Sequence, residues 1–193
     1  MTRAHRVTRD VALETPRLVL REFCDGDAPA VQEYAGDVEV VRYLDWGPNS
    51  AEETAQFLAV ARGARDAVPR TAYHLAIALS ATGRLIGGCR IEIRSAANGS
   101  GDVGYVLDRR HWGQGYATEA TRALVGFGFN RLALHRTWAT CDVDNRASAR
   151  VLEKLGMRRE GHLRQNARRR GEWRDSYLYA ILAPEWGSES SGR

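Results

Sequence analysis

The sequence predicts one α/β domain built around a mixed sheet, and three observations support this fold class. Apolar residues alternate over 72–79 and 85–93, which is typical of half-buried strands, and the turn at 82–83 makes the two a hairpin candidate. Residues 117–130 instead repeat apolar side chains at helical spacing. The order of strands and helices includes antiparallel hairpins and at least one crossover connection, which indicates a mixed α/β sheet.

The remaining elements follow in order along the chain. Strands are expected at 17–23, 72–79, 85–93, 103–107, 136–141, 158–163 and 175–182, and helices at 25–35, 50–66, 117–130 and 145–155. Ser50 and Glu53 form a capping box for the second helix. Asn145 is the expected N-cap of the last helix, which Gly156 ends in a left-handed conformation. A basic segment, 164–174, is expected to join the last two strands.

Composition and charge limit the organisation and the location of the protein. Residues 1–13 are expected to form a flexible arm, residues 14–186 one domain, and residues 187–193 a disordered polar tail. A chain of 193 residues with 44% hydrophobic residues can bury a core. No apolar run is long enough to span a bilayer, and the N-terminus lacks the apolar region of a secretory signal, so a cytoplasmic location is expected.

Cysteine spacing and net charge indicate which ligands to expect. Cys24, Cys89 and Cys141 lie far apart without a CxxC pair, so we expect no disulfide and no metal site, although a thiol nucleophile remains an alternative. The net charge of +4 suits an anionic ligand such as a phosphorylated cofactor. Only the three arginines at 168–170 approach the basic density of nucleic-acid binding, so no specific nucleic acid is expected.

A glycine-rich segment follows the strand at 103–107 and precedes the helix at 117–130. Gly113 and Gly115 can adopt backbone angles that other residues avoid, and they let the main chain approach a ligand closely. Successive N–H groups in such a turn, together with the start of a helix, form an anion site that fits a diphosphate. Arg110 would supply a neighbouring cation. On spacing alone, a tight turn that serves packing is an equal alternative.

The pattern Arg110-x-x-Gly113-x-Gly115 followed by Ala117 resembles the R/Q-x-x-G-x-G/A signature of the GNAT superfamily of acyltransferases. Residues 111–120 are similar to its branch of ribosomal-protein N-terminal (alanine) acetyltransferases, the Rim type. Four further regions agree with this branch in order and spacing, and the resemblance covers roughly residues 15–186. The other matching regions are 15–21, the strand segments 86–88 and 103–105, 145–157, and 173–179.

The resemblance implies a mostly antiparallel central sheet that is splayed in a V, with flanking helices, and an acetyl-CoA-dependent N-acetyltransferase. Main-chain groups of Val106 and Leu107 would meet the pantetheine arm, and Asn145 would contact the coenzyme. The residues implied to line the diphosphate are Arg110, Gly113, Gln114, Gly115, Tyr116, Ala117 and Thr118. The leading acceptor is a protein N-terminal amine. A small-molecule amine (aminoglycoside, amino acid or polyamine) and a non-catalytic acyl-CoA-binding module are the alternatives, and a homodimer is compatible with this resemblance.

Candidate catalytic residues follow from the same resemblance and from the predicted strands. Ser148 occupies the position whose hydroxyl is proposed to protonate the leaving thiolate, although it could instead serve the first turn of its helix. Tyr105 or a water could replace it. Glu92 and Asp102 are candidate bases on or beside central strands, or else solvated carboxylates. The family's acidic residue between the last strands is absent from Gln165-Asn166-Ala167, which favours deprotonation through water.

The acceptor side has fewer indications in the sequence. Tyr43 and Trp46 lie ahead of the second helix, in a region that walls the acceptor site in this family, although packing against the sheet is the alternative. The arginines at 168–170 could attract an acidic peptide or a ribosomal surface, or could simply be a charged hairpin tip.

Overall fold

The computed structural model describes residues 10–188 of the chain. The strands are β1 (Ala12–Glu14), β2 (Leu18–Glu22), β3 (Ala72–Leu79), β4 (Leu85–Ser95), β5 (Ser100–Leu107), β6 (Arg136–Asp142), β7 (Arg158–Arg169) and β8 (Glu172–Leu182). The helices are α1 (Ala28–Ala35), α2 (Ala51–Asp66), α3 (Tyr116–Asn130), α4 (Arg146–Lys154) and α5 (Ala183–Ser188). Short 3-10 turns occupy Asp25–Asp27 and Arg109–His111. In this part of the chain no helix has the length and apolar character to cross a membrane.

One sheet contains all eight of these strands in the order β1-β2-β3-β4-β5-β6-β8-β7. Every neighbouring pair is antiparallel except β5 and β6, which are parallel and are connected through α3. The expected mixed, mostly antiparallel sheet is therefore confirmed.

The parallel pair β5–β6 opens into a V. Its register begins at Ser100 and Arg136 and ends at Asp102 and Trp138. Beyond that point β5 and β6 continue without pairing to each other. The expected splayed sheet is confirmed, and the wedge between the two strands leaves main-chain groups available to an extended ligand.

Helices cover the sheet on both faces and form two cores. On one face, which we call the α3 face, Ile91 lies so close to α3 that a Cβ on Gly128 would be 2.6 Å from its side chain. On the other, the α2 face, Phe23 and Leu58 belong to a separate buried cluster. Because side chains alternate along β4, Gly88 points to this second cluster, where a Cβ would lie 3.1 Å from the Phe23 ring.

Three boundaries differ from the sequence prediction. The expected arm at 1–13 ends in a strand instead, since Leu13 pairs with Leu20 and packs against the core; residues 1–9 lie outside the described part. The basic segment 164–174 belongs mostly to β7 and β8, because Asp142 neutralises Arg169 and Arg174. The last helix includes residues 187 and 188 of the expected tail, and residues 189–193 lie outside the described part.

Candidate active site

The loop between β5 and α3 is held in a defined conformation by a cap and by two glycines. Asp108 accepts a hydrogen bond from Arg110 N–H at 2.9 Å and starts the 3-10 turn. Gly113 and Gly115 have φ values of +74° and +83°, in the left-handed region that favours glycine. Gly115 is also the N-cap residue of α3. The spacing of these two glycines is thus a requirement of the backbone.

The start of α3 offers main-chain donors to a ligand. Tyr116, Ala117 and Thr118 belong to the first helical turn, where N–H groups have no carbonyl four residues earlier in the helix to bond. The positive end of the helix dipole lies at the same place. A Cβ on Gly113 would meet no other atom within 4 Å, so the loop is open on that side. These features fit a diphosphate.

Arg110, the cation expected beside the diphosphate, is engaged elsewhere. Its Nε lies 2.9 Å from Asp108 Oδ2, and its Nη2 also contacts Asp108 and Glu33. The hydrogen bond from Arg110 lowers the pKa of the Asp108 carboxyl, so both partners are ionised. The cation that contacts the loop itself is Arg17, whose Nη1 donates to Gln114 O at 3.0 Å. From the sequence, Arg17 was predicted only to belong to the first strand, without a role at this loop.

The main chain of β5 lines one side of the V. The Asp108 N–H donates to Ile86 O across to β4 at 2.9 Å, and hydrogen-bonded pairs alternate along an antiparallel ladder. Val106 therefore directs its main-chain groups to β4, and Leu107 directs its own into the V, while the contact of either residue with the pantetheine arm stays a prediction. The Leu107 carbonyl accepts from Trp112 Nε1 at 2.9 Å, which leaves the Leu107 N–H as the group that can meet a pantetheine amide.

Two of the candidate catalytic residues meet across the V. The Tyr105 hydroxyl on β5 lies 2.9 Å from the Ser148 hydroxyl on α4. Burial raises the pKa of the Tyr105 hydroxyl well above its usual value, so this group holds its proton at neutral pH. Such a half-buried pair of hydroxyls can pass a proton to a thiolate that forms beside it.

The first turn of α4 does not use the Ser148 hydroxyl. Asn145 Oδ1 accepts the Ser148 N–H at 3.1 Å and is the cap of this helix, as predicted. The Ser148 hydroxyl is left to bond Tyr105 instead. The alternative in which the Ser148 side chain serves the helix start is therefore not what the structure shows, while the contact of Asn145 with the coenzyme stays a prediction.

Glu92 and Asp102, the two candidate bases, lie opposite each other on β4 and β5. Asp102 is buried, with Arg94 Nε at 2.5 Å and Arg90 Nη1 at 2.7 Å from its carboxylate oxygens. Glu92 is paired with Arg94 at 2.9 Å. Both carboxylates point to the α2 face, and guanidinium groups engage both of them.

The β7–β8 hairpin reaches across the mouth of the V. Arg170, at its tip, donates to the carbonyls of Val41 and Arg42, each at 3.2 Å. This joins the hairpin to the loop that also contains Tyr43, which is half-buried under Arg42, and Trp46, which is 39% exposed. The expected wall of the acceptor side therefore has two parts, and the hairpin arginines are used for internal contacts.

A bulge in β7 brings a carboxylate to the position where the sequence lacked one. Gln165 has a φ of +47° and donates its N–H to Asp175 Oδ1 at 2.9 Å, while His162 Nε2 lies 2.6 Å from Asp175 Oδ2. The Gln165 N–H, followed by His162, lowers the pKa of Asp175. An open cavity of about 670 Å³ lies beside this pair. Sequence reasoning missed Asp175 because only strand register places it opposite the bulge.

Thiol and metal chemistry find no support among residues 10–188. Burial raises the pKa of the Cys141 thiol to about 11 and that of Cys89 further, so neither is a thiolate at neutral pH. Cys24 is exposed, on the chain that follows β2. Within this range no cluster of three His, Cys, Asp or Glu side chains could hold a metal ion.

Comparison with known proteins agrees with this geometry. Residues 17–158 match the model of the acetyltransferase (GNAT) domain. The uncharacterized N-acetyltransferase YnaD of Bacillus subtilis (strain 168) is 34% identical over 174 residues, 90% of this chain and 98% of that protein. The structure of a GNAT-family acetyltransferase from Bacillus anthracis has a TM-score of 0.81 at 32% identity, with 91% of this chain and 100% of that chain covered.

A shorter match concerns a protein with a named acceptor. The ribosomal protein uS5-alanine N-acetyltransferase of Escherichia coli (strain K12) is 30% identical over 84 residues, 44% of this chain and 43% of that protein. Solved structures of the same fold include complexes with coenzyme A.

The chain belongs to the GNAT acetyltransferase family. It is an N-acetyltransferase that takes the acetyl group from acetyl-CoA and gives it to an amine. The V, the glycine loop and the first turn of α3 are the parts of the described structure that fit this donor.

Proposed function

We propose that the acceptor is the α-amino group of a protein N-terminus, as in ribosomal-protein acetyltransferases. The observation that supports this most is the state of the carboxylates on the two strands that flank the V and on β4, which pairs with β5. The strands β4, β5 and β6 contain three of them, Glu92, Asp102 and Asp142, and arginines pair with each one.

Asp142 illustrates how completely these charges are matched. Its side chain is 1% exposed and accepts from Arg169 at 3.0 Å and from Arg174 at 3.0 and 3.1 Å. Burial is the largest single influence and opposes its ionisation, but the hydrogen bonds from Arg174 and the Asp144 N–H, together with the charges of Arg174 and Arg169, outweigh burial and lower the pKa of Asp142. A polyamine or an aminoglycoside needs carboxylates that are free to bind several ammonium groups, and these three are not free.

A peptide N-terminus needs less from the protein. An α-amino group has a pKa of about 7.7–8.0, so a substantial fraction is already neutral near pH 7.5 without a strong base. A largely apolar cavity of about 260 Å³ includes Trp138, the residue at which the V opens, and Thr140, Leu163 and Leu178. This cavity can accept the side chain of the first residue of a peptide.

The reaction then follows from three tasks. The amine nitrogen attacks the thioester carbonyl carbon, the carbon–sulfur bond breaks, and the amine loses one proton to water. The departing thiolate takes a proton from the Ser148 hydroxyl, Ser148 takes one from the Tyr105 hydroxyl across their 2.9 Å contact, and Tyr105 takes up the proton that the amine lost to water. Positioning by the V contributes much of the rate, because both reactants are held in one geometry.

An amine panel with acetyl-CoA tests this proposal, with free thiol release as the readout. Peptides that differ only in their first residue should be acetylated with a kcat/KM about tenfold or more above those of spermidine, free lysine and an aminoglycoside. The same peptides with an acetylated N-terminus are the matched controls. The peptide rate should rise with pH and level off above about pH 8, as the pH passes the α-amino pKa of about 7.7–8.0.

Two outcomes contradict the proposal. One is a preference for spermidine or an aminoglycoside over every peptide. The other is acetylation of the blocked peptides at an internal lysine as fast as that of the free ones, which would make a side-chain amine the acceptor.

A further inference from the structure

Arg17 lies just before β2. Its guanidinium makes four contacts with α3 and with the loop between β5 and α3 (residues 108–115), which we call the donor loop. Nη1 donates to Gln114 O at 3.0 Å, and Nε and Nη2 each lie 2.6 Å from Glu119 Oε2. The guanidinium also stacks over the Tyr116 ring, 4.4 Å from its centroid. A Cβ on Gly115 would be 3.4 Å from Nη2. The guanidinium therefore touches the helix start that fits the diphosphate.

The hydrogen bond to Gln114 O fixes the direction of a donor. The peptide between Gln114 and Gly115 is planar and trans, so its C=O and its N–H point in opposite directions. Because Arg17 holds this carbonyl on its own side, the Gly115 N–H points away from Arg17. The first-turn N–H groups of α3 lie next to it in sequence.

The ion pair to Glu119 removes a charge that would oppose the ligand. Glu119 accepts from the Thr15 hydroxyl at 2.7 Å and from the Arg17 N–H at 2.9 Å. Burial disfavours its ionised form, but these hydrogen bonds outweigh burial and lower the pKa of Glu119. A carboxylate in the first turn of α3 would repel a diphosphate at the same helix end, unless a cation compensates it.

We propose that Arg17 is the positioning residue of the coenzyme loop. It orients the Gln114–Gly115 peptide so that the Gly115 N–H meets the diphosphate, and it neutralises Glu119 beside that site. The proposal rests on the assignment of residues 113–118 to the diphosphate, not on the identity of the acceptor.

Titration of the protein with coenzyme A, in the absence of any amine, tests Arg17. Arg17→Met keeps an unbranched side chain over Tyr116 but removes the charge and the donors. We expect its Kd for coenzyme A to rise about tenfold or more, with the melting temperature nearly unchanged. Arg17→Lys keeps the charge but lacks the planar set of donors of a guanidinium. Its Kd for coenzyme A should lie between those of the wild type and Arg17→Met.

Two further variants separate positioning from general stability. Adding Glu119→Gln to Arg17→Met should recover part of the lost affinity, because it removes the uncompensated carboxylate. Arg70→Met is the matched control, since Arg70 stacks 4.1 Å over Tyr73 and pairs with Glu22 at 3.0 Å, in contacts with other strands. It should leave the Kd for coenzyme A unchanged, even if the melting temperature falls.

An unchanged Kd in Arg17→Met overturns the proposal, as does an equal rise of Kd in Arg70→Met. The loop assignment is tested separately, by Gly115→Val. If Gly115→Val loses coenzyme A and Arg17→Met does not, the loop binds the diphosphate without help from Arg17. If both bind normally, the assignment of the loop fails together with the proposal.

Discussion

The donor loop and the acceptor side of the V differ in the atoms that form them. The donor loop presents main-chain N–H groups at the start of α3, and two glycines with φ values of +74° and +83° shape it. The proposed acceptor side, which includes the α2 face of β4 and β5, is formed by side chains, many of them in ion pairs such as Asp102 with Arg90 and Arg94. The contrast teaches that a site formed by main-chain groups can be predicted from the sequence, because the glycines that shape it lie within one segment. A side-chain site depends on partners that only the folded sheet brings together.

The largest expected effect is on the donor loop. Gly115→Val places a β-branched residue at φ +83°, where such residues are strained, and brings its side chain against Arg17, whose Nη2 lies 3.4 Å from a Cβ there, so the loop must change shape. The Kd for acetyl-CoA should rise about 100-fold or more by titration. Gly171→Val is the control, because Gly171 has a φ of +85° at the hairpin tip and equal strain there should leave the Kd unchanged. Normal affinity in Gly115→Val would show that the loop is a packing turn.

The second prediction concerns the hydroxyl pair between the two sides. Ser148→Ala should lower kcat about 10- to 100-fold, with the Kd for acetyl-CoA unchanged, because the thiolate loses its proton donor. Tyr105→Phe should do the same, and the double variant should cost less than the product of the single effects. Ser95→Ala is the control, since its hydroxyl only accepts from Asn98 in a turn. A wild-type kcat in Ser148→Ala would remove Ser148 from the chemistry.

A third prediction tests the packing of the strands beneath the donor loop. A Cβ on Gly87 would lie 2.2 Å from Val106 O, so Gly87→Ala must displace backbone. The free energy of unfolding should fall by about 1–3 kcal/mol in a denaturant titration. Gly104→Ala is the matched control on β5, where the nearest atoms are 3.5 Å or more from a Cβ and stability should hold. Equal stability of the two variants would mean that the strands separate more easily than the packing implies.

The smallest expected effect concerns His74 on β3, beside the ion pairs of the acceptor side. Burial, followed by the charges of Arg90 and Arg70, lowers the pKa of His74 to about 4. The unfolded chain takes up this proton near pH 6.5 and the folded protein does not until about pH 4, so stability falls as the pH drops between these values. Between pH 7 and pH 5, the free energy of unfolding of the wild type should fall by about 2 kcal/mol more than that of His74→Gln, as measured in unfolding titrations. A constant difference would show that His74 titrates normally.

Much of the fold was predictable because it follows from local periodicity. Most strand and helix positions agreed with the prediction, including the capping box of α2 at Ser50 and Glu53. The differences have a common cause: β1, and the extension of β7 and β8, exist because of partners elsewhere in the chain. Leu13 pairs with Leu20 in the sheet, and Arg169 forms an ion pair with Asp142. Local pattern cannot contain such partners.

The candidate site divides in the same way. The glycine spacing at 113 and 115 was readable, since φ preferences are a property of the residue itself. The directions of the Arg110 and Val106 groups were not readable, because ion pairing and strand alternation decide where those groups point. Asp175 was missed, because only the bulge in β7 sets it opposite Gln165.

The sequence by itself determined that this protein is a GNAT acetyltransferase, and it predicted the acetyl-CoA loop and the role of the Ser148 hydroxyl, because these follow from residues close together in the chain or from family resemblance. The tertiary structure decided the rest. It placed Arg17 on the loop, joined Tyr105 to Ser148, and matched the carboxylates of the V with arginines. The physical reason is that charges and hydrogen bonds act over a few ångströms, and the fold alone sets those distances between residues far apart in sequence.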